Sequence, residues 1–141
     1  MDIVTVPNSG EVLAPARPLR CPCLSGESYG ACCQRLHAGE LRAPTAESLM
    51  RARYSAFAVG EPLYLLSTWH PSTRPETLQL DEDLQWVRLD VHRADRGGLL
   101  DTMGVVEFTA HFRLHGRRHE QHEASRFVKE NRHWFYVGEL D

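Results

Sequence analysis

Thiol chemistry is the first possibility that the sequence raises, because its four cysteines, Cys21, Cys23, Cys32 and Cys33, lie in one short stretch. Four thiolates are the number that a tetrahedral structural Zn²⁺ site requires. The eight residues between the two pairs include two glycines, which permit the tight backbone needed to fold back. Ser25 and the loop amides can donate hydrogen bonds to sulfur. The spacing therefore predicts a structural zinc site.

The residues leave three other uses of these thiols open. Two disulfides are one, although a bond between the adjacent Cys32 and Cys33 would be strained. A catalytic pair of a cysteine with His37 is another, and incidental burial of the thiols is the third. His37 also follows Cys33 by four residues and is an alternative metal ligand in place of one thiolate.

Composition favours a single cytoplasmic domain. The chain has 141 residues, of which 42% are hydrophobic and 25% charged, so it can bury a core without disulfides. No run of about twenty apolar residues predicts a membrane span, and the N-terminus lacks the pattern of a signal peptide. In the reducing cytoplasm, clustered cysteines more often hold a metal than form disulfides.

The charge pattern does not favour nucleic acid as a partner. The net charge of −3 provides no broad basic field for phosphates. Around the cysteines, Arg20 and Arg35 are offset by Glu27 and Glu40. Neither a nucleic acid nor a membrane is therefore expected to bind this chain.

A well-marked helix is predicted after the cysteine segment. Thr45 is a suitable N-cap, Ser48 occupies the third helical position, and Gly60 predicts the end of the helix. Apolar residues recur along it at three- and four-residue steps, at Leu49, Met50, Tyr54, Phe57 and Ala58. The stripe indicates the face that packs on the rest of the domain.

A short second helix is predicted to begin at Pro62, whose fixed backbone suits a first helical turn. Leu63, Leu66 and Trp69 are predicted to face one way, towards the core. The helix ends before Pro71, because the residue preceding a proline disfavours helical geometry.

The apolar period then changes to two, which is typical of strands. Four segments show it: Leu84–His92, Gly104–Leu114, Glu120–Glu130 and 133–138. In the first, Val87, Leu89 and Val91 are predicted to share one face. Helices followed by a meander of antiparallel strands predict an α+β fold, in which the helices cover one face of the sheet. Such packing can leave a concave pocket where helices and sheet diverge.

The cysteine segment, "CPCLSGESYGACC", resembles the SEC-C zinc motif, whose pattern is Cys-x-Cys-x-Ser-Gly, then Cys followed by Cys or His. The resemblance implies the four cysteines as ligands and places Ser25 and Gly26 on the Ser-Gly of the motif. Leu24 stands where the motif usually has glycine, which predicts a slightly different turn. The SEC-C motif also occurs at the C-terminus of the preprotein translocase motor protein, where it contacts an export chaperone and ribosomes. The resemblance therefore also implies a protein partner.

The rest of the chain resembles the YchJ-like (UPF0225) family. The stretches that carry the resemblance are "APTAESLMRARYSAFAVGE", "YLLSTWHPSTRP", "GVVEFTAHFR", "HEASRFVKEN" and "HWFYVG". The family is similar to NTF2-like domains, which implies a cone of helices on a curved antiparallel sheet around a cavity. The expected organisation is an extended arm at residues 1–20, a zinc-binding segment at 21–40 and an NTF2-like domain at 41–141. NTF2-like domains often form homodimers, so a homodimer is also a possible assembly.

Eight residues are candidates for lining that cavity: Arg53, Tyr54, Trp69, His70, Trp86, Glu107, Glu123 and Arg126. For the aromatic residues, a role as core or cavity wall is the simplest interpretation. For the arginines and glutamates, it is a structural ion pair, since buried charges need partners.

Two functions follow as hypotheses. In the first, the zinc segment presents a surface to a protein partner and the cone binds a small molecule. In the second, the protein is an enzyme of the isomerase, dehydratase or hydrolase kind that acts on a small molecule in the cone, where a carboxylate or histidine serves as general base. No residue pattern matches a catalytic set, so the binding module is the preferred hypothesis and catalytic residues are not assigned.

Overall fold

The computed structural model describes residues 20–140. The extended arm predicted for residues 1–20 therefore lies outside the described residues, apart from Arg20, which forms an isolated bridge with Ser28. No helix within residues 20–140 has both the length and the apolar character needed to cross a membrane.

The described chain has three helices followed by four strands, which confirms the predicted α+β class. The helices are α1 (Cys33–His37), α2 (Ala46–Val59) and α3 (Pro62–Ser67); the strands are β1 (Leu84–Arg96), β2 (Met103–Leu114), β3 (Arg117–Glu130) and β4 (His133–Glu139). The strands form one antiparallel sheet in the order β1-β2-β3-β4.

Helix α2 begins and ends where the sequence predicts. The Thr45 hydroxyl accepts a hydrogen bond from the Ser48 amide, and the Ser48 hydroxyl accepts one from the Thr45 amide, at 3.1 and 3.0 Å. This reciprocal pair satisfies amides that the first turn leaves free. At the other end Gly60 adopts a left-handed conformation with φ 82°, which costs glycine little.

The predicted apolar face of the second helix is wrong in part. Leu63 is 78% exposed, whereas Leu65 is fully buried. Helix α3 ends at Ser67, so Trp69 is not on its face. Instead, Trp69 pairs with Tyr136 of β4 in a short parallel bridge, which ties the end of α3 to the edge of the sheet.

The predicted alternation of the first strand is also wrong at its start. Val87 is 53% exposed, whereas Trp86 packs on the core and pairs with Phe112. A bulge between Trp86 and Arg88 is the cause, because one extra residue moves the following side chains to the opposite face. The bulge places Trp86 on the same face as Leu89, which is buried.

Two buried clusters hold the described chain together. The larger lies between α2 and the concave face of the sheet and includes Leu49, Val106, Phe127 and Trp134. The smaller consists of Cys21, Cys23, Tyr29, Cys33 and Ala52, on the other side of α2. Helix α2 thus lies between the cysteine segment and the sheet.

Candidate functional site

The four cysteines lie close together in space, in the segment 21–40, which we call the cysteine knuckle. Their Sγ atoms all lie within 4.8 Å of one another, and those of Cys23 and Cys32 are 3.5 Å apart. A tetrahedral zinc site with Zn–S bonds of about 2.3 Å has sulfur–sulfur edges of about 3.8 Å. Cys21, Cys23 and Cys33 are each 2% exposed. The donor set and spacing therefore fit a metal ion.

A tight turn brings the first two cysteines round. The amide of Leu24 donates to the carbonyl of Cys21 at 3.1 Å, and the amide of Cys21 donates to the carbonyl of Glu27 at 2.9 Å. Gly26 has φ 93° and Leu24 has φ 68°. Leu24 thus adopts a left-handed conformation that glycine would adopt at less cost.

Polar groups of the loop and of α2 surround the sulfurs. The Ser25 hydroxyl donates to Sγ of Cys32 at 3.2 Å, as the sequence predicts for a hydroxyl near a thiolate. The Ser55 hydroxyl, fully buried in α2, lies 3.7 Å from Sγ of Cys21. Arg51 donates from Nη1 to the carbonyl of Cys23 at 2.9 Å. The knuckle is therefore fixed to α2 on its buried side.

His37 serves the structure rather than the metal site. Its Nε2 lies 2.8 Å from the carbonyl of Ala52, which can only accept, so Nε2 carries the proton. Its Nδ1 then accepts from the Tyr29 hydroxyl at 2.6 Å. Both ring nitrogens are occupied, which corrects the hypothesis that His37 is a ligand. Within residues 20–140, the four cysteines alone form a group of this kind.

The crowded thiols perturb each other's ionisation. Contacts with Cys23 and Cys33 lower the pKa of Cys21, whereas contacts with Cys21 and Cys23, together with burial, raise that of Cys33. Burial is the main cause that raises the pKa of Cys32 to about 11. Four thiolates this close repel one another, and a divalent cation among them would offset that repulsion.

A cavity of about 300 Å³ lies on the other side of α2, against the concave face of the sheet. We call it the aromatic cavity. Its walls come from α2, the segment after α3 and all four strands; the residues are Met50, Arg53, Tyr54, Phe57, Trp69, Leu84, Trp86, Phe108, Ala110, Phe112, Gln121, Glu123, Ser125, Phe127 and Tyr136. Gln121 is exposed and Phe127 is buried, so the cavity runs from the surface to the core.

Five of the eight candidate residues line this cavity, namely Arg53, Tyr54, Trp69, Trp86 and Glu123. The sheet and α2 bring them together from positions far apart in the chain. Tyr54 and Trp86 pack edge to face with ring centroids 5.7 Å apart, and this pair forms part of the apolar wall.

The other three candidates, His70, Glu107 and Arg126, lie outside the aromatic cavity. The His70 ring packs against Phe135, with ring centroids 5.8 Å apart, and its Nε2 lies 2.9 Å from Glu130. Glu107 and Arg126 lie on the outer face of the sheet, because side chains alternate along a strand. Glu107 accepts a hydrogen bond from His122 there at 2.7 Å.

Arg53 is buried beside the cavity, only 5% exposed. Its Nη1 donates to the carbonyl of Leu65 and to the hydroxyl of Thr68, both at 2.7 Å. Its guanidinium carbon lies 5.2 Å from the ring centroid of Trp69 and 4.5 Å from that of Tyr136. Burial lowers the pKa of Arg53 to about 10. Among the hydrogen bonds of the described chain Arg53 has no carboxylate partner; the charge of Glu123 stabilises the guanidinium from a longer distance.

Glu123 is held by three donors instead. Its Oε2 accepts from the hydroxyls of Ser125 and Tyr136, at 2.5 and 3.3 Å, and its Oε1 accepts from the Gln121 amide at 3.2 Å. The sequence analysis does not predict these three hydrogen-bond partners. Strand alternation could have indicated Gln121 and Ser125, because residues two apart on a strand share a face. No sequence pattern indicates Tyr136.

The geometry defines the class of protein: a curved antiparallel sheet and helices around a cavity, joined to a SEC-C-like cysteine knuckle. The family model described as "YchJ, middle NTF2-like domain" matches residues 45–139. The chain therefore belongs to the YchJ-like family of NTF2-like proteins. This confirms the resemblance and the cone that it implied.

Relatives and solved structures agree with this family. A UPF0225 protein of Chromobacterium violaceum is 49% identical over 123 residues, covering 85% of this chain and 91% of that protein. One of Corynebacterium glutamicum is 48% identical over 123 residues, covering 86% and 98%. The solution structure of a SEC-C motif containing protein from Rhodopseudomonas palustris has a TM-score of 0.73 and 32% identity, covering 85% of this chain and 96% of that one. A crystal structure of another, from Psychrobacter arcticus, has a TM-score of 0.69, 30% identity and coverages of 83% and 79%.

Proposed function

We propose that this protein is a binding module in which a structural Zn²⁺ ion holds the cysteine knuckle and the aromatic cavity binds a small molecule. The observation that carries the proposal is the buried guanidinium of Arg53, which borders an apolar cavity without a hydrogen bond to a carboxylate. A buried charge of this kind is costly and has no need to face a cavity for packing alone. A ligand gives it a use.

The metal would be bound by the thiolates of Cys21, Cys23, Cys32 and Cys33. Zinc suits a closed set of four thiolates, takes part in no redox chemistry and contributes directly to folding. The reduced thiols that it needs point to the cytoplasm as the compartment. The supporting geometry is the mutual distance of the four sulfurs and the hydrogen bond from Ser25.

We propose that a protein partner binds the outer side of the knuckle. Residues 24–28 are exposed there, and Leu24 is 54% exposed. A second copy of the chain is a separate candidate partner. The outer sheet face would offer it polar and charged side chains such as His111 and Asp90, which lie 2.8 Å apart.

The enzyme hypothesis has one observation in its favour. Glu123 is a carboxylate at an apolar cavity, the position that a general base would take. Its two oxygens already accept three hydrogen bonds within the protein. We therefore propose that Glu123 organises the cavity wall and that binding, rather than turnover, is the activity.

Elemental analysis of protein purified without chelator tests the metal, and we expect one zinc per chain. A chain that carries no zinc contradicts the proposal. The cavity is tested with the variant Ala110→Leu, which adds bulk at a buried lining position. Native mass spectrometry of the wild-type protein should detect a bound small molecule that the variant lacks. If both proteins carry the same added mass, or neither carries any, after exposure to metabolite extract, the ligand cavity is contradicted.

A further inference from the structure

We infer that the ligand of the aromatic cavity is a small carboxylate with an aromatic body; this rests on the proposed function of the cavity. The inference comes from counting which hydrogen-bonding groups at the cavity already have partners. Donors are left over at one end, acceptors are already occupied, and the remaining walls are aromatic.

The unused donors belong to Arg53 and Trp69. A guanidinium has five N–H donors, and the two hydrogen bonds of Arg53 within the described residues both leave from Nη1. The indole Nε1 of Trp69 is buried and has no acceptor among the described residues. Both side chains line the cavity, and the guanidinium lies over the Trp69 ring. Buried donors favour an acceptor, and an anionic acceptor pairs best with a guanidinium.

The acceptors at the same end are occupied. Glu123 already accepts hydrogen bonds from Gln121, Ser125 and Tyr136. An amine that entered the cavity would have to compete with these three donors for Glu123. It would also come close to the cation of Arg53. A ligand carboxylate would in turn meet the charge of Glu123, which acts on Arg53. The unused donors of Arg53 and Trp69 favour the carboxylate over the ammonium group.

The body of the ligand is set by the opposite end. Trp86 is surrounded there by Tyr54, Phe57 and Phe112, with ring centroids 5.2 to 5.8 Å away. A flat aromatic ring fits such walls through edge-to-face contacts. The volume of about 300 Å³ corresponds to about ten non-hydrogen atoms at roughly 30 Å³ each, the share of a water molecule in the liquid. Phenylacetate has that size.

Three probes of one shape test the inference: phenylacetate, phenylacetamide and 2-phenylethylamine, each titrated into the zinc-loaded full chain. The readout is the indole N–H resonance of Trp69, assigned by its loss in Trp69→Phe. We expect phenylacetate to shift this resonance and to bind at least tenfold more tightly than the amide, with no saturable shift from the amine. Calorimetric titration, which does not depend on the indole resonance, should show that Trp69→Phe binds phenylacetate at least fivefold more weakly.

The matched control is Trp134→Phe, since the Trp134 indole donates to the carbonyl of Pro44 at 3.1 Å, away from the cavity. It should leave phenylacetate affinity unchanged, whereas Ala110→Leu should abolish it. If the amine or the amide binds as tightly as phenylacetate, the inference is overturned and the ligand cavity stands. If none of the probes shifts the resonance, the inference is also overturned, and the mass spectrometric comparison with Ala110→Leu alone decides the cavity proposal. Should Trp69→Phe fail to fold, the ranking of the three probes by the wild-type protein decides.

Discussion

The cysteine knuckle and the aromatic cavity lie on two sides of helix α2 and are assembled in different ways. The knuckle draws its four thiols from residues 21–33, so short-range turns place them. The cavity draws its walls from α2, Trp69 and four strands, so only the finished fold places them. The knuckle buries few side chains of its own, whereas the cavity borders the main core. The knuckle is therefore expected to depend on an ion, and the cavity on packing.

The largest effect should come from removing the metal. We predict that Cys32→Ser with Cys33→Ser abolishes zinc binding, a contribution on the order of 10 kcal/mol in comparable sites. Hydrogen exchange followed by mass spectrometry should show lost protection in residues 21–37. The strands should remain protected, because their packing lies beyond α2.

Addition of a chelator to the wild-type protein is the matched control, since it removes the ion without changing the chain. It should reproduce the exchange pattern of the double variant. Loss of protection in β2 and β3 in either experiment would show that the two regions fold as one unit.

A medium effect is predicted for Arg53→Met at the cavity. The carbonyl of Leu65 in the last turn of α3 would lose the hydrogen bond that Arg53 donates at 2.7 Å and would keep only the long one from the Thr68 hydroxyl at 3.4 Å. Loss of the main donor to a buried carbonyl costs about 1–3 kcal/mol. Urea unfolding should show a loss of that size. The control is Arg113→Met at an exposed position, which should change the unfolding free energy by less than about 0.5 kcal/mol. Equal losses in the two variants would show that the buried hydrogen bonds of Arg53 do not stabilise the fold.

A pH effect should separate the cavity from the knuckle. Burial raises the pKa of Tyr54 to about 12, from 10 when unfolded. The unfolded chain then releases its proton first, so this stabilisation is complete below pH 10 and is lost as pH rises from 10 to 12. The slope for one tyrosine approaches about 1.4 kcal/mol per pH unit.

Tyr54→Phe should reduce that alkaline loss and leave zinc content unchanged. Unfolding by urea at pH 8 and at pH 11 measures the difference. An unaltered slope in the variant would mean that Tyr54 does not titrate within this window.

The smallest effect is predicted within the knuckle turn. Leu24 has φ 68°, a conformation that costs a non-glycine residue about 1–2 kcal/mol. Leu24→Gly should therefore strengthen zinc binding by up to about 1 kcal/mol, after the loss of backbone entropy. Competition with a chromophoric chelator measures it. Gly26→Ala, at φ 93°, should weaken zinc binding. If both variants weaken zinc binding, the Leu24 side chain itself contributes to the site.

The same contrast explains what could be predicted from the sequence. The cysteines and the caps of α2 depend on near neighbours, and spacing alone locates them. The face of Trp86 depends on a bulge, and the buried side of α3 depends on how the chain returns to Tyr136; neither has a local signature. The second face of α2, with Ala52 and Ser55 towards the knuckle, has only a weak local signature, namely that its residues are small.

Helix α2 has a consequence for the construction of chimeras between family members. Its Ala52 carbonyl and Ser55 hydroxyl contact the knuckle, while its Arg53 and Tyr54 line the cavity. A recombination boundary between the knuckle and α2 would separate groups that fit only each other. A boundary at Gly60 would in turn separate Arg53 from its partners Leu65 and Thr68. The knuckle, α2 and the cavity walls are therefore best exchanged together, whereas the turn at His115 and Gly116 can be exchanged alone.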